Sequence, residues 1–347
     1  MSHWSIKDDY DQIISVLKND FSQLNDARIF FTGGTGFIGK WMLKSLLLAN
    51  QVYNFNLKAD VLTRSPESFI KNFPEIATNE SISLVPGDVG SFKFPEHSYT
   101  HIIHAATEAS ADLNRNNPIV MFDTIVEGTR RVLDLCVKNQ ARLLNLSSGA
   151  VYGVNPSLTE NVNEACLMGP DFNDFNHTYA EAKRSAELLC AIYKRKHDLD
   201  YSTARIFALL GPGLDLDIHF AAGNFIRNAI EGKTIIVNGN GKPLRSYMYP
   251  VDFTIWLFRI LTAGESGLAY NVGSEKAISI GDLANRIATL VNGVDCEILG
   301  SLDDGWNLSR YVPDTSLSRK KLKLNETVSL NDAIKRTAVF NGWENLS

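Results

Sequence analysis

The stretch Thr32-Gly33-Gly34-Thr35-Gly36-Phe37-Ile38-Gly39 follows a short run, Arg28-Ile29-Phe30-Phe31, that is apolar after its first residue. It leads into a helix-like run, Trp41-Met42-Leu43-Lys44-Ser45-Leu46-Leu47-Leu48. This is the order strand, glycine turn, helix. Glycines 33, 36 and 39 permit a tight turn, let backbone N–H groups approach a pyrophosphate, and seat the helix closely on its strand. The helix start at Phe37 and Ile38 adds positive potential for the phosphates. Gly33, Gly36, Phe37, Ile38 and Gly39 are therefore the expected dinucleotide-binding residues of the turn.

The chain has 347 residues, 44% hydrophobic and 21% charged, the composition of an ordinary soluble globular enzyme with a sizeable core. A formal charge of −5 and no basic run argue against a nucleic-acid or anionic-membrane surface. Cysteines 136, 166, 190 and 296 form no CxxC pair, which fits reduced thiols in a cytoplasmic protein better than disulfides or a zinc site. No apolar stretch approaches the ~18 residues of a membrane span. Asp8, Asp9 and Asp11 stand where a signal peptide would be basic.

Ile13, Ile14, Leu17, Phe21 and Leu24 recur at helical spacing, predicting a short N-terminal helical extension over residues 1–26 that braces the core, with a partner-binding helix as the alternative. After the glycine turn, apolar runs at Ala59–Thr63, Ile82–Val85, His101–Ala106 and Arg142–Ser147 alternate with helix-like segments such as Pro118–Asn139. This alternation predicts an α/β fold, a Rossmann-type doubly wound parallel sheet over residues 27–205. From residue 206 to 347 the pattern loosens into a smaller mixed α/β part facing the substrate, free to cross back to the sheet. It contains short strands at Thr234–Val237, Leu244–Tyr249 and Leu268–Val272, and helices at Phe220–Glu231, Val251–Thr262 and Ile280–Val291.

Tyr179-Ala180-Glu181-Ala182-Lys183 places a phenol and an ammonium on one helical face, where the lysine charge favours phenolate. Such a tyrosine serves as general acid and base between a carbinol and a ketone. Upstream, Asn145-Leu146-Ser147-Ser148-Gly149-Ala150-Val151-Tyr152-Gly153 ends a strand, so Ser148 emerges at the carboxyl edge where ligands of such sheets bind. Ser148, Tyr179 and Lys183 form a candidate catalytic triad. His101 and His104, three apart along a strand, point to opposite faces, so no metal site is expected there.

In these motifs the sequence resembles an extended short-chain dehydrogenase/reductase of the NAD-dependent epimerase/dehydratase family, whose members act on nucleotide sugars. The likeness also includes Gly87-Asp88-Val89, His104-Ala105-Ala106-Thr107 and Arg245-Ser246-Tyr247-Met248-Tyr249-Pro250-Val251-Asp252. It implies that Asp88 and Val89 contact adenine and that Ala105, Ala106 and Thr107 line the cofactor diphosphate and ribose. It further implies that Ser148 binds the sugar hydroxyl, Tyr179 carries the proton, and Lys183 holds the nicotinamide ribose. Arg245, with Asn224 and Arg310, is implied to meet the substrate pyrophosphate, and the assembly to be a homodimer.

Departures from the family pattern narrow the chemistry. The 4,6-dehydratases carry an Asp-Glu pair where this chain has Gly149 and Ala150, and the decarboxylases carry a glutamate at the latter position. A usual asparagine is Ala208 here, and another is Ile125. The second strand ends Thr63-Arg64-Ser65 without the acid that would bind a ribose 2′-hydroxyl, so Arg64 points to NADP(H), with NAD as the alternative. The expected activity is oxidoreduction at a carbinol or keto carbon, C4, of a nucleotide-linked hexose or deoxyhexose, as a 4-epimerase or a 4-ketoreductase. The alternatives are a dehydratase or decarboxylase with atypical acid/base residues, and a non-catalytic NAD(P)-sensing protein.

Overall fold

Strand β1 (Arg28–Thr32) alternates its side chains between two buried faces, and both are covered. Phe30 packs with Val132, Leu133 and Cys136 of one helical layer, while Ile29 and Phe31 join Leu43, Leu46 and Phe253 of another. The computed structural model describes residues 4–107, 111–153, 160–217, 221–300 and 309–344. Helices α1 (Ile6–Val16) and α2 (Lys18–Gln23) precede β1, and α3 (Phe37–Tyr53) follows its glycine turn. Then come β2 (Lys58–Thr63), α4 (Pro66–Asn72), α5 (Pro74–Ala77), β3 (Ile82–Pro86) and β4 (His101–His104). The middle of the chain holds α6 (Ala111–Asn116), α7 (Pro118–Asn139), β5 (Arg142–Ser148), a 3₁₀ turn at Gly149–Tyr152, α8 (Thr178–His197) and β6 (Tyr201–Ile206).

Beyond β6 come α9 (Ala221–Ile230), β7 (Ile235–Val237), β8 (Leu244–Arg245), α10 (Pro250–Ala263) and β9 (Ala269–Val272). The chain ends with β10 (Ile278–Ser279), α11 (Ile280–Leu290), β11 (Cys296–Ile298), β12 (Arg310–Tyr311), α12 (Ser316–Leu322) and α13 (Leu330–Phe340). Phe220, expected at the start of α9, lies outside the described residues. The extended run expected at Leu244–Tyr249 is a strand only at Leu244–Arg245, with Met248 making an isolated parallel bridge to Leu209 before Pro250 opens α10.

The main sheet has seven parallel strands in the order β3-β2-β1-β4-β5-β6-β9. Strand order reverses between β1 and β4, where ligands of doubly wound sheets bind beyond the carboxyl ends. The expected Rossmann-type sheet is thus observed. Strand β9 lies at its edge beside β6, so the carboxyl-terminal part of the chain does cross back. Two small sheets, β10-β8-β12 and β11-β7, carry the rest of that part. No helix among the described residues is long and apolar enough to cross a membrane.

The N-terminal segment is a brace, in two helices rather than one. Ile13, Ile14, Leu17, Phe21 and Leu24 are all buried in the main core. Tyr10 stacks on Trp41 of α3 with centroids 4.6 Å apart. Asp9, 1% exposed, accepts hydrogen bonds from Tyr249 Oη at 2.6 Å, Arg336 at 2.7 Å and Trp4 Nε1 at 3.1 Å. Removing this carboxylate strands a buried phenol and a guanidinium that keeps only part of its surface in water. Asp9→Ala is therefore expected to lower unfolding free energy by ~2–4 kcal/mol, read from the urea midpoint at unchanged m. A loss under ~0.5 kcal/mol would show the brace to be peripheral.

Candidate active site

The glycine turn works by exclusion. Gly33 has φ +73°, and a Cβ there would lie 2.5 Å from the Ala105 carbonyl carbon and 2.6 Å from Ala106 N. A Cβ on Gly39 would lie 2.5 Å from Gly33 O and from Gly34 Cα, so α3 sits directly on the turn. Gly36 is the N-cap residue of α3. Phe37 faces away from the turn onto Phe253, with centroids 5.6 Å apart.

Behind the turn a chain of hydrogen bonds fixes the end of β4. Thr129 Oγ1 donates to Ile125 O at 2.7 Å, so its lone pair accepts from His104 Nε2–H at 3.1 Å. His104 Nδ1 then accepts from Thr32 Oγ1–H at 2.8 Å, and Thr32 Oγ1 accepts from Ala106 N at 3.1 Å. Burial, with the Lys183 charge second, pushes His104 down to about 3, so the imidazole stays neutral and its tautomer is set. His101, partly exposed at the other end of β4, is pushed to about 4 by burial and by Arg142. No cluster of metal-ligating side chains exists among the described residues.

The turn opens on a crevice of about 410 Å³ lined by Gly33, Gly36, Thr63, Arg64, Asp88, Val89, Ala105, Ala106 and Thr107, with Ser65 and Ser68 beside Arg64. Arg64 is exposed just past the end of β2. Asp88 Oδ1 accepts from Gly90 N at 2.9 Å, and Val89 is buried against Gly128, whose Cβ would lie 2.9 Å from Val89 Cγ1. Thr107 Oγ1 is buried with no hydrogen-bond partner among the described residues. Closed glycine turn, open helix terminus and orphaned hydroxyl together fit a dinucleotide, whose ribose and phosphate oxygens would satisfy them.

Ser148 ends β5, and its Oγ accepts from Ala150 N at 3.1 Å. The same hydroxyl lies 3.4 Å from Tyr311 Oη. Lys183 is 4% exposed and its Nζ donates to Leu146 O at 2.8 Å. Burial acts on the pair in opposite directions: it pushes the Tyr179 phenol up and Lys183 down to about 8, against the pull of Glu187. The expectation that Lys183 brings the phenol down is corrected here. Burial outweighs the downward pull on Tyr179, which comes from Ser148.

A model of the NAD dependent epimerase/dehydratase family matches residues 29–273, most of the chain. The chain belongs to this family. It is thereby one of a class of nicotinamide-dependent enzymes. It is 28% identical over 327 residues to UDP-glucuronic acid decarboxylase 6 of Arabidopsis thaliana, covering 92% of this chain and 90% of that one. It is 24% identical over 338 residues to dTDP-glucose 4,6-dehydratase of Escherichia coli, covering 89% and 91%. The fold is similar to that of UDP-glucose 4-epimerase from Thermotoga maritima, with a TM-score of 0.77 at 20% identity, over 90% of this chain and 98% of that one.

The remaining expected residues do not all converge. Arg245 is half-buried, its Nη1 donating to Leu244 O at 2.8 Å and to Ser309 Oγ at 3.1 Å. Burial lowers it, and no carboxylate pairs with it among the described residues. Arg310 pairs in register with Leu244, whereas Tyr311 pairs with Arg245. Strand alternation therefore turns Arg310 to the opposite face, where its Nε and Nη2 reach Asn161 Oδ1 at 3.2 and 2.5 Å. Asn224 lines a separate cavity of about 350 Å³ with Asn228, Asn238, Asn240 and Pro243. Ile125 is buried with Ala182, Ala186 and Tyr179 in the α7–α8 seam. Tyr311 and Phe207 were missed at the sequence level, although the alternation beside Arg310 could have pointed to Tyr311.

Lys183 yields a test independent of substrate. Its native pKa of about 8 lies below the ordinary 10.5, so between those pH values the unfolded chain binds more protons and stability rises with pH. The stability of the wild type relative to Lys183→Met, from paired denaturant titrations, is therefore expected to increase from pH 8 towards 10.5. A flat difference across that window would show the ammonium to be solvated.

Proposed function

We propose that this chain catalyses reversible hydride chemistry at C4 of a nucleotide-linked hexose or deoxyhexose, as a 4-epimerase or a 4-ketoreductase. The observation that carries this reading is a Ser148–Tyr179–Lys183 constellation at the carboxyl edge of β5 with no carboxylate directly beyond it. A side chain at position 149 has no room, since a Cβ there would lie 2.6 to 2.8 Å from the Phe207 ring. Nearby carboxylates are already occupied. Glu187 accepts from Ser147 Oγ at 2.6 Å and from Arg205 Nη2 at 2.6 Å, and Glu164 accepts from Asn271 N at 2.8 Å. Neither is free to abstract a carbon-bound proton or protonate a leaving hydroxyl, so the dehydratase and decarboxylase likenesses supply fold and cofactor use rather than the reaction. A non-catalytic sensor would not need the tyrosine, lysine and serine together.

The nicotinamide cofactor, when bound, accepts or delivers the hydride. Ser148 holds the reacting oxygen, and Tyr179 moves its proton. Lys183 donates to the nicotinamide ribose. Asp88, Val89 and Ala105 to Thr107 hold the remainder of the dinucleotide over the Gly33–Gly39 turn. Arg245, a half-buried cation paired with no carboxylate among the described residues, suits the substrate pyrophosphate. The Asn224 cavity suits the uncharged edge of a base, while Arg310 contributes only if it leaves Asn161. Four free thiols fit a cytoplasmic setting. A homodimer is part of this reading, since Ile119, Phe122, Leu188 and Ile192 on α7 and α8 are exposed apolar residues that such an interface would cover.

A thermal-shift panel of UDP-, dTDP-, GDP- and CDP-sugars with NAD and NADP tests the ligand class, since saturation at ~100 times Kd adds ~2.7 kcal/mol. With the sugar identified, Tyr179→Phe is expected to bind cofactor normally and lose about 10²–10⁴-fold in kcat. Near-wild-type turnover would remove Tyr179 from the mechanism. A product lighter by water or carbon dioxide would replace the proposed reaction with an elimination or decarboxylation.

Arg64 bears on cofactor choice. Its position past β2, with no acid on that strand end, supports NADP(H). Arg64→Ala is expected to weaken NADPH by ~1.5–3 kcal/mol while leaving NADH little changed, measured by fluorescence titration. Equal loss for both cofactors would reduce Arg64 to an adenine contact.

A further inference from the structure

Lys40 stands in the first turn of α3, where nothing in the fold accounts for a cation. Open backbone N–H groups make that end of a helix positive, so the macrodipole opposes an ammonium there. No acidic residue shares the turn, and Lys44, one turn further along the same face, adds like charge. Lys40 is half-buried, which lowers it, and its Nζ makes no hydrogen bond or ion pair with any described residue. The ammonium rests over the Phe73 ring, 4.1 Å from its centroid. The carboxylate that acts on it, Asp215, lies beyond ion-pair distance and accepts from Asp217 N at 2.9 Å. A ring face attracts an ammonium but offers no lone pair to its three N–H donors.

Phe73 is also part of the wall of the dinucleotide crevice. Helix α4 turns Ser68 and Asn72 to that crevice, Ser65 precedes them, and Asn72 Nδ2 donates to Ser68 Oγ at 3.4 Å. Arg64 lies at one end of this wall and Phe73, carrying Lys40, at the other. Asp88 is the one carboxylate among the described residues that line the crevice, and it is engaged with Gly90 N past the end of β3. A helix the length of α4 spans roughly 10 Å at ~1.5 Å per residue, so a group over Ser68 is within the reach of an arginine from one end and a lysine from the other. The end of β2 is where a doubly wound sheet meets the adenosine ribose. Hydroxyls, an amide and two cations without a carboxylate match the oxygens and the charge of a phosphate monoester.

Resting on the NADP(H) reading of Arg64, we infer that Lys40 is a specificity-determining residue, which swings off Phe73 to pair with the phosphate ester on the adenosine ribose of the cofactor, opposite Arg64. A lysine on a helix runs back over the preceding turn, so this cation arrives from the α3 side while the guanidinium arrives from the end of β2. The anion held between them gives the ammonium a hydrogen-bonding partner and offsets the opposition of the macrodipole. NADH carries a neutral hydroxyl at the same place and offers Lys40 no charge to meet. The diphosphate over the glycine turn is served by the N–H groups that open α3, whereas Phe73 holds the ammonium to the α4 side of that turn.

The full chain is titrated calorimetrically with NADPH, NADH, adenosine 2′,5′-bisphosphate and adenosine 5′-diphosphate, the last carrying the diphosphate without the 2′-phosphate. Lys40→Met keeps an aliphatic stem beside Phe73 and is expected to weaken NADPH and the bisphosphate about tenfold, while NADH and the diphosphate change less than about twofold. Equal loss for the diphosphate would assign Lys40 to the glycine turn, and no loss for any of the four would leave it as packing on Phe73; either result overturns the proposal. Should Lys40→Met fail to fold, the wild type still decides: acetic anhydride labelling of Lys40, read by peptide mass, is expected to be slowed by the bisphosphate and not by the diphosphate, and equal rates refute the assignment. A wild type with no preference for NADPH over NADH sinks the cofactor reading itself, whereas a preference that survives in Lys40→Met sinks only the role of Lys40. Every arm reads binding, so a lack of turnover with nucleotide sugars would count against the proposed reaction alone.

Discussion

The architecture depends on one backbone contact: Gly33 lies directly against the Ala105–Ala106 peptide across the point where strand order reverses. No side chain fits between them. The Thr32–His104–Thr129 relay holds that contact by tying the end of β1, the end of β4 and helix α7 through a neutral imidazole. Register carries its position outward. His104 pairs with Asn145, so β5 continues to Ser148 after β4 has ended, an overhang of roughly 10 Å at ~3.3 Å per residue. Ser148 pairs with Ile206, which places Phe207 just beyond the same edge. The position of the glycine turn thereby also determines where the Ser148 hydroxyl stands.

Charge around this edge is consumed by structure. Glu187 bridges Ser147 and Arg205, Arg205 reaches Tyr152 Oη at 2.9 Å, and Tyr152 donates to Asn271 Oδ1 at 2.8 Å. Asn271 in turn holds Val162 O at 3.0 Å and Asp314 O at 2.9 Å. Breaking a largely buried ion pair such as Glu187–Arg205 costs ~3–5 kcal/mol, so neither member is free for proton transfer. The network joins α8, β5, β6 and β9 to the segment around Val162 and to the turn after β12. Among the described residues, what remains beside this edge is neutral or cationic: two phenols, a serine, a lysine lowered by burial, and an arginine paired with no carboxylate. Such a set suits the proposed exchange between alcohol and ketone.

The glycine turn, the β/α alternation and the Tyr179–Lys183 helix were legible because each rests on local rules of backbone space and periodicity. Ser148 was legible for the same reason, as the last residue of an apolar strand. Other features depend on pairing distant in sequence. That β9 joins the main sheet, that Arg310 turns away from Arg245 while Tyr311 faces it, and that Phe207 fills the space beside Gly149 all follow from register and packing between segments tens of residues apart. The electrostatic expectation for Tyr179 went astray because spacing places Lys183 one turn away but does not reveal how deeply the phenol is buried.

The N-terminal brace bears on the crevice as well as on stability. Tyr10 stacks on Trp41, Trp41 Nε1 donates to Pro212 O at 2.9 Å, and Phe37 packs on Phe253, so α3 is gripped by α1, by the loop after β6 and by α10. Helix α10 is in turn tied to α2 through Arg259 and Asp20 at 2.7 Å, and to the segment before α13 through Asp252, which accepts from Thr327 and Val328 N. The helix whose N-terminus faces the crevice therefore cannot tilt without disturbing the half of the molecule that carries Arg245. Two ligands in the crevice would each rest on groups already fixed relative to the other, which lowers the ordering cost of binding and keeps the reacting carbon in place between hydride and proton.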